Sequence, residues 1–317
     1  MPQARSSSSA SATIAQGPNE VKLAIHTGTP GTVSHIAGCA LADMLSKKHP
    51  WLRAVVVETG QSADAVKTVA RDPNLRRTGI FSVNSTIHND IVTGQGRFSS
   101  PIQYQLLALI RADAMALVTI DPSIKTMDDL NGKKVSVGTK GGPGPVFEAL
   151  LNAHAIKPAG TEYLSWAPAC DAMIAGTIDA AAQTLGDTTL DPYIPPAAIK
   201  QLQAQKALRV IAIDRALIQK VSEATPIGYL HIAAKLFGAP MAAVANQTSW
   251  GVCPEFDAEV AYEIVKFMAE NASSFRDYDD SLACIRRANL ASLPVPTVML
   301  HPAADKYYRE SGTKIGL

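Results

Sequence analysis

The sequence predicts an α/β protein built as two doubly wound lobes joined by crossing segments. Three observations carry that expectation. Short β-rich runs alternate with helical patterns from Val21 onward, the pattern restarts after Leu106, and a late run from Ala242 to Val252 offers a path back to the first half.

The first lobe opens with the strand pattern Val21 to His26 and the turn-rich Thr27 to Thr32. A helix follows with apolar positions at Ile36, Ala40, Leu41, Met44 and Leu45. Ala54 to Val57 reads as a second strand. Ser62 is placed to cap a helix through Val66 and Val69, and Thr78 to Val83 is a third strand. Strand, helix, strand, helix, strand implies a parallel sheet covered on both faces. The apolar run Leu106 to Ile120, interrupted by Arg111, Ala112 and Asp113, is expected to carry the chain between sheets. Thr126 to Asp129 fits a capping box, and Val135 to Val137 is a strand followed by the loop Gly141 to Pro145 and a helix from Val146 to Ala153. Ile178 to Gln183 and Leu208 to Ile213 extend the second unit, and Val260, Ile264, Val265 and Met268 mark one face of a late helix. The implied division is a disordered tail over 1–19, lobe one over 20–113 and 248–317, and lobe two over 114–247.

Of the 317 residues, 47% are hydrophobic and 18% charged, enough to fill two cores and too apolar for a disordered chain. A net charge of +1 leaves no electrostatic footprint for nucleic acid or an acidic membrane surface. No stretch approaches the roughly 20 apolar residues that span a bilayer. Met1 to Asn19 is rich in Ser, Ala and Thr and has no apolar leader segment, so the chain is either cytoplasmic or exported with its leader gone. Cys39, Cys170, Cys253 and Cys284 are too scattered for a zinc or redox motif. Cys39 reads as a packing residue, and one disulfide stays open.

Three small-residue loops follow strands and open helices: Thr27 to Thr32, Thr59 to Ser62, and Thr139 to Pro145. In an open parallel sheet such loops lie at the carboxyl edge, where ligands bind, and free N–H groups at helix starts favour an anion such as a carboxylate. A fourth, Gln183 to Gly186, faces the same edge. The expected ligand contacts are Thr29, Gly31, Thr32, Gln61, Ser62 and Asn84 from lobe one, and Gly142, Gly144, Gln183, Leu185 and Gly186 from lobe two. Trp250 is a candidate wall. Arg111 suits a counter-charge or a surface turn equally, and His26 suits a strand-end histidine satisfied by backbone better than a ligand contact. A P-loop, a dinucleotide fingerprint, a serine-hydrolase elbow and a zinc motif are all missing from the sequence, so no cofactor, metal or catalytic residue is expected.

The sequence resembles the TAXI solute receptors of tripartite ATP-independent periplasmic (TRAP) transporters from about Val21 to Gly312. The resemblance is carried by Thr27-Gly28-Thr29 with Gly31-Thr32, by Glu58 to Ser62, by Asp128 to Val135, by Ala175 to Ala180, and by His301 to Ala304 with Tyr308 to Gly312. It implies a periplasmic binding protein fold of the second type, closing on a small carboxylate-containing solute and delivering it to TRAP permease subunits from the periplasm. Two departures matter. The lobe-two loop, Gly141 to Pro145, lacks the hydroxyls of the family's pattern and has two prolines without N–H groups, and Gln61 stands where the family has glycine. A receptor for an ATP-driven importer, or an enzyme on the same fold, are the alternative functions.

Overall fold

A computed structural model describes residues 20–140, 142–188, 192–223, 227–292 and 300–316, so the expected tail over 1–19 and Gly141 lie outside the described residues. The strands are β1 (Val21–Thr27), β2 (Leu52–Glu58), β3 (Gly79–Asn84), β4 (Gln105–Thr119), β5 (Lys134–Ser136), β6 (Gly160–Glu162), β7 (Ala180–Gly186), β8 (Arg209–Ile211), β9 (Gly228–Ile232) and β10 (Met241–Val252). The helices are α1 (Val33–Lys48), α2 (Ser62–Arg71), α3 (Leu75–Thr78), α4 (His88–Thr93), α5 (Gly144–Ala153) and α6 (Trp166–Ile174). They continue with α7 (Ala197–Gln205), α8 (Arg215–Ser222), α9 (Ala234–Phe237), α10 (Ala258–Glu270) and α11 (Pro302–Glu310).

The strands follow the order β2-β1-β3-β10-β4-β7-β5-β6, with β8 beside β4 and β9 beside β10. Two parallel blocks, β2-β1-β3 and β7-β5-β6, flank two long antiparallel crossing strands. Residues 105–113 of β4 pair with residues 246–252 of β10, after which β4 takes up β7 and β8 while β10 takes up β9. This is a doubly wound α/β arrangement of two lobes joined by crossing segments, as the sequence predicts.

Alternation along the strands sends each lobe's side chains into two cores, one per face. In lobe one, Leu23, Ile25 and Ile80 pack with Leu41 and Met44 of α1 and Ile264 of α10. Phe81 and Val83 pack on the other face with Val66 and Val69 of α2. In lobe two, Met115 and Leu117 face Phe147 and Ile218, while Ala114, Ala116 and Val118 face Cys170, Met173 and Leu202. Full burial of one such aliphatic side chain is worth about 1.5–3 kcal/mol. Val260, Ile264, Val265 and Met268 are all buried, as their spacing predicts.

Some expectations are corrected. Arg111, Ala112 and Asp113, which break the apolar run, form no turn: they lie inside β4, whose 15 residues are one continuous strand. The N-cap of α2 is Gln61, with Ser62 the first helical residue. Cys39 is exposed, because the buried arc of α1 runs through Ala37, Gly38, Ala40, Leu41, Met44 and Leu45 and leaves position 39 outside. The four cysteines are free thiols. Both ring nitrogens of His26 are buried without a hydrogen-bond partner among the described residues, so backbone does not satisfy it. The edge strand β6, Gly-Thr-Glu, carries no β-rich pattern and was not predictable from periodicity.

Candidate functional site

A cavity of about 610 Å3 opens between the lobes, lined from both. The carboxyl ends of β1, β2 and β3 deliver Gly28 and Thr32, Gly60 to Ser62, and Asn84 with Thr86. Beyond β5 comes Gly142, and from the end of β7 comes Thr184. The crossing strands supply the floor: Arg111 and Asp113 from β4, Thr248 from β10. Trp166, first residue of α6, and Pro196 complete the lobe-two wall. A second groove of about 700 Å3 lies on lobe one alone, lined by Lys67, Arg71, Arg76 and Arg97 among others. Arg97 borders both, but only the cleft collects strand ends from two lobes, which is where an open α/β sheet holds ligand.

Two helix starts frame the lobe-one side. Thr32 caps α1 by accepting from the His35 N–H at 3.4 Å, and its own hydroxyl donates to the Thr29 carbonyl at 2.7 Å. Gln61, the N-cap of α2, makes no side-chain capping bond; its side-chain oxygen instead accepts from Arg97 Nη1. Gly31 and Gly60 turn the chain with φ of +84° and +80°, values that other residues adopt only under strain. Arg97 reaches the cleft from a loop in which Gly96, at φ +58°, leaves no room for a Cβ beside the Asp90 carboxylate. Thr248 donates to the Asn84 side-chain oxygen at 3.0 Å, tying β10 to the end of β3.

At the floor, Arg111 Nε donates to the Asp113 carboxylate, with both side chains only about 15% exposed. Burial pushes the Asp113 carboxyl above the usual carboxylate range, against the pull of Arg111. Burial also works against the Arg111 charge, but Asp113 and, more weakly, Asp187 outweigh it and hold the guanidinium above its ordinary value. The floor is therefore a charged pair with a second acid nearby, and it offers a ligand both donors and an acceptor.

Of the twelve residues expected to touch ligand, the structure brings Gly31, Thr32, Gln61, Ser62, Asn84 and Gly142 to the cavity wall. The other six sit elsewhere. The Thr29 carbonyl is used by the Thr32 hydroxyl. Gly144 is buried in the first turn of α5, where a Cβ would lie 2.8 Å from the Thr139 carbonyl. Gln183 and Leu185 point to the α6 side of β7, Gln183 donating to the Trp166 carbonyl at 2.8 Å and Leu185 filling the core, so alternation sends Thr184 to the cleft instead. Gly186, at φ +78°, packs under Arg111 and Pro196. Trp250 is fully buried in the lobe-one core, opposite Ser82 of β3. Arg97, Asp113, Trp166 and Thr184 are among the cleft residues absent from the expected contacts; the apolar-run interruption at 111–113 and the Gln183 to Gly186 loop signalled two of them.

The profile of the NMT1-like family matches residues 25–312. The chain belongs to the NMT1-like family. Among solved structures, a TctC solute-binding protein from Polaromonas is 14% identical and superposes with a TM-score of 0.56, covering 92% of this chain and 95% of that one. MatC from Rhodopseudomonas palustris, with bound malate, is 14% identical with a TM-score of 0.51, covering 92% and 97%. XAC2383 from Xanthomonas citri, bound to ATP, is 13% identical with a TM-score of 0.51, covering 92% and 95%. At these identities the likeness is one of fold, and this NMT1-like chain shares it over nearly its whole length. Among the described residues no helix is long and apolar enough to cross a membrane.

Proposed function

We propose that this protein is the solute receptor of a TRAP transporter, of the TAXI type, working in the periplasm without transforming its ligand. The observation that carries the reading is the inter-lobe cavity, walled by loops from both lobes and floored by β4 and β10. Lobe one would comprise 20–113 and 248–317, and lobe two 114–247, so that the hinge runs through the two crossing strands. Closure excludes water and changes the outer surface a permease meets.

The proposed ligand is a small carboxylate-containing solute. Its anionic group would rest on lobe one, where the starts of α1 and α2 and the guanidinium of Arg97 converge. The contacts proposed are Thr32, Gln61, Ser62, Asn84 and Gly142, with Arg97, Arg111, Asp113, Trp166 and Thr184 added from the geometry. Malate bound to MatC, a protein of the same fold, agrees with a carboxylate class.

The test is a thermal-shift screen of ligand-stripped protein against carboxylates, amino acids and aromatic acids. A ligand present at about 100 times its dissociation constant adds about 2.7 kcal/mol of stability. A shift confined to one carboxylate class, with the compound recovered unchanged, supports the receptor. Turnover of the compound would overturn it in favour of an enzyme, and no shift across the panel removes the carboxylate assignment. Adjacent genes for an ATPase rather than fused membrane subunits would redirect the partner to an ATP-driven importer.

A further inference from the structure

Outside the cleft lining, three side chains stand in line on the α1 side of β1. Cys39 Sγ lies 3.6 Å from His35 Nε2, one helical turn earlier, and His35 Nδ1 lies 3.1 Å from the Thr27 hydroxyl. Thr27 in turn donates to the Gly28 carbonyl at 3.2 Å. A hydroxyl has a single proton. With that proton directed at Gly28, Thr27 meets the imidazole as an acceptor, which assigns the ring hydrogen to Nδ1 and the lone pair to Nε2. In that tautomer the basic nitrogen faces the Cys39 thiol, and the buried Thr27 fixes the ring from behind.

Among the described residues the other cysteines have no such arrangement. Cys170 and Cys253 are buried and pushed up to about 11, and Cys284, pushed up by burial to about 12, spends its thiol on the Ser281 and Ile110 carbonyls. Cys39 alone among the four is exposed. Asp43, four residues further along α1, is held by Lys47 at 2.9 Å and by the Tyr278 hydroxyl, so its charge is already paired.

We propose that Cys39 is a thiol–disulfide exchange site that takes low-molecular-weight disulfides, with His35 as the base that receives the thiol proton and Thr27 as the positioning residue. In the step, Cys39 Sγ attacks one sulfur of the disulfide and a new S–S bond forms. The old S–S bond breaks, its second sulfur leaving with the electron pair as a thiolate. The Cys39 proton passes to His35 Nε2, and no further oxidant is needed.

The experiment follows adduct formation on the full chain with glutathione disulfide as the probe, with peptide mapping to locate it. Wild type is modified first at Cys39, and Cys39→Ser shows no early adduct. His35→Gln slows the reaction at pH 7 by roughly tenfold, within the roughly thirtyfold gain open to a thiol of pKa about 8.5 when it is fully ionised. At pH 10, where a thiol ionises unaided, the two rates converge to within about twofold. Thr27→Val loses rate at pH 7 with the same convergence, and Thr27→Ser, which keeps the hydroxyl, restores it. Equal rates at pH 7 in wild type and His35→Gln, or a first adduct on Cys170, Cys253 or Cys284, would overturn the proposal.

Discussion

Arg111 and Asp113 sit two residues apart on one face of β4 and pair with each other at the point where β4 leaves β10 for β7. The Arg111 guanidinium also lies against Gly186, where an added Cβ would come within 3.1 Å of Nη2. One ion pair thus joins a crossing strand, the end of β7 and the cleft floor. Removing one partner of a largely buried pair leaves an uncompensated charge and costs about 3–5 kcal/mol, whereas replacing both by apolar residues is often close to neutral. Arg111→Leu is expected to lower the urea unfolding midpoint strongly, and Arg111→Leu with Asp113→Leu to recover most of it. If the double variant is no more stable than the single one, the pair is not what holds the floor.

Arg97 is the cation at the cleft mouth, and its guanidinium spends one N–H on Gln61. It is exposed, so Arg97→Gln leaves stability within about 0.5 kcal/mol. A hydrogen bond to a charged group is worth about 1.5–3 kcal/mol, so the variant should bind an anionic ligand at least roughly tenfold more weakly. Calorimetric titration with the carboxylate returned by the screen reads this directly. Unchanged affinity would place the anionic group away from lobe one.

The loops at the carboxyl ends of β1 and β2 were legible as turns at one edge of a parallel sheet, because glycine, serine and threonine there separate a strand from a helix. What those residue types could not reveal is direction. Gln183, Thr184 and Leu185 are equivalent as a string, and only the packing of α6 against one face of β7 decides that Thr184 meets the cleft. Arg97 lies on a loop without a motif and reaches the site through Gln61, 36 residues earlier in the chain, a contact that spacing does not encode. Trp250 misled in the other direction. A tryptophan in a crossing strand suits a wall, yet its ring fills the space above Gly38, where a Cβ would lie 3.4 Å from the indole.

His26 carries a pH prediction. Burial holds its imidazole below the ordinary value of 6.5, and neither ring nitrogen has a partner among the described residues. As pH falls through 6.5 the unfolded chain takes up a proton that the folded chain refuses, so stability declines until the lowered folded value is reached. His88 and His301, also lowered by burial, add to the same slope. His26→Leu should flatten the fall in urea midpoint between pH 7 and pH 5 by about one proton's share of the slope. A slope identical to wild type would show that His26 gains its proton while folded.

Gly251 and Gly31 separate two ways in which a glycine is required. Gly251 is paired with Phe81 across β3 and β10, and a Cβ there would lie 2.4 Å from the Phe81 ring. That ring is fully buried and leans on Tyr104 with centroids 6.1 Å apart, so it cannot swing clear. Gly251→Ala is expected to cost about 1–3 kcal/mol by overpacking, and Phe81→Leu in the same chain to return part of it. Gly31 has nothing within 4 Å of a built Cβ, but its φ is +84°. Gly31→Ala should cost about 1–2 kcal/mol through backbone strain alone, with no rescue from any neighbour's substitution. Urea unfolding of the three single variants and the Gly251→Ala, Phe81→Leu pair distinguishes the mechanisms: a coupling near zero between positions 251 and 81 would mean that the sheet parts to admit the methyl group, and that β10 is held at this point less tightly than its register implies.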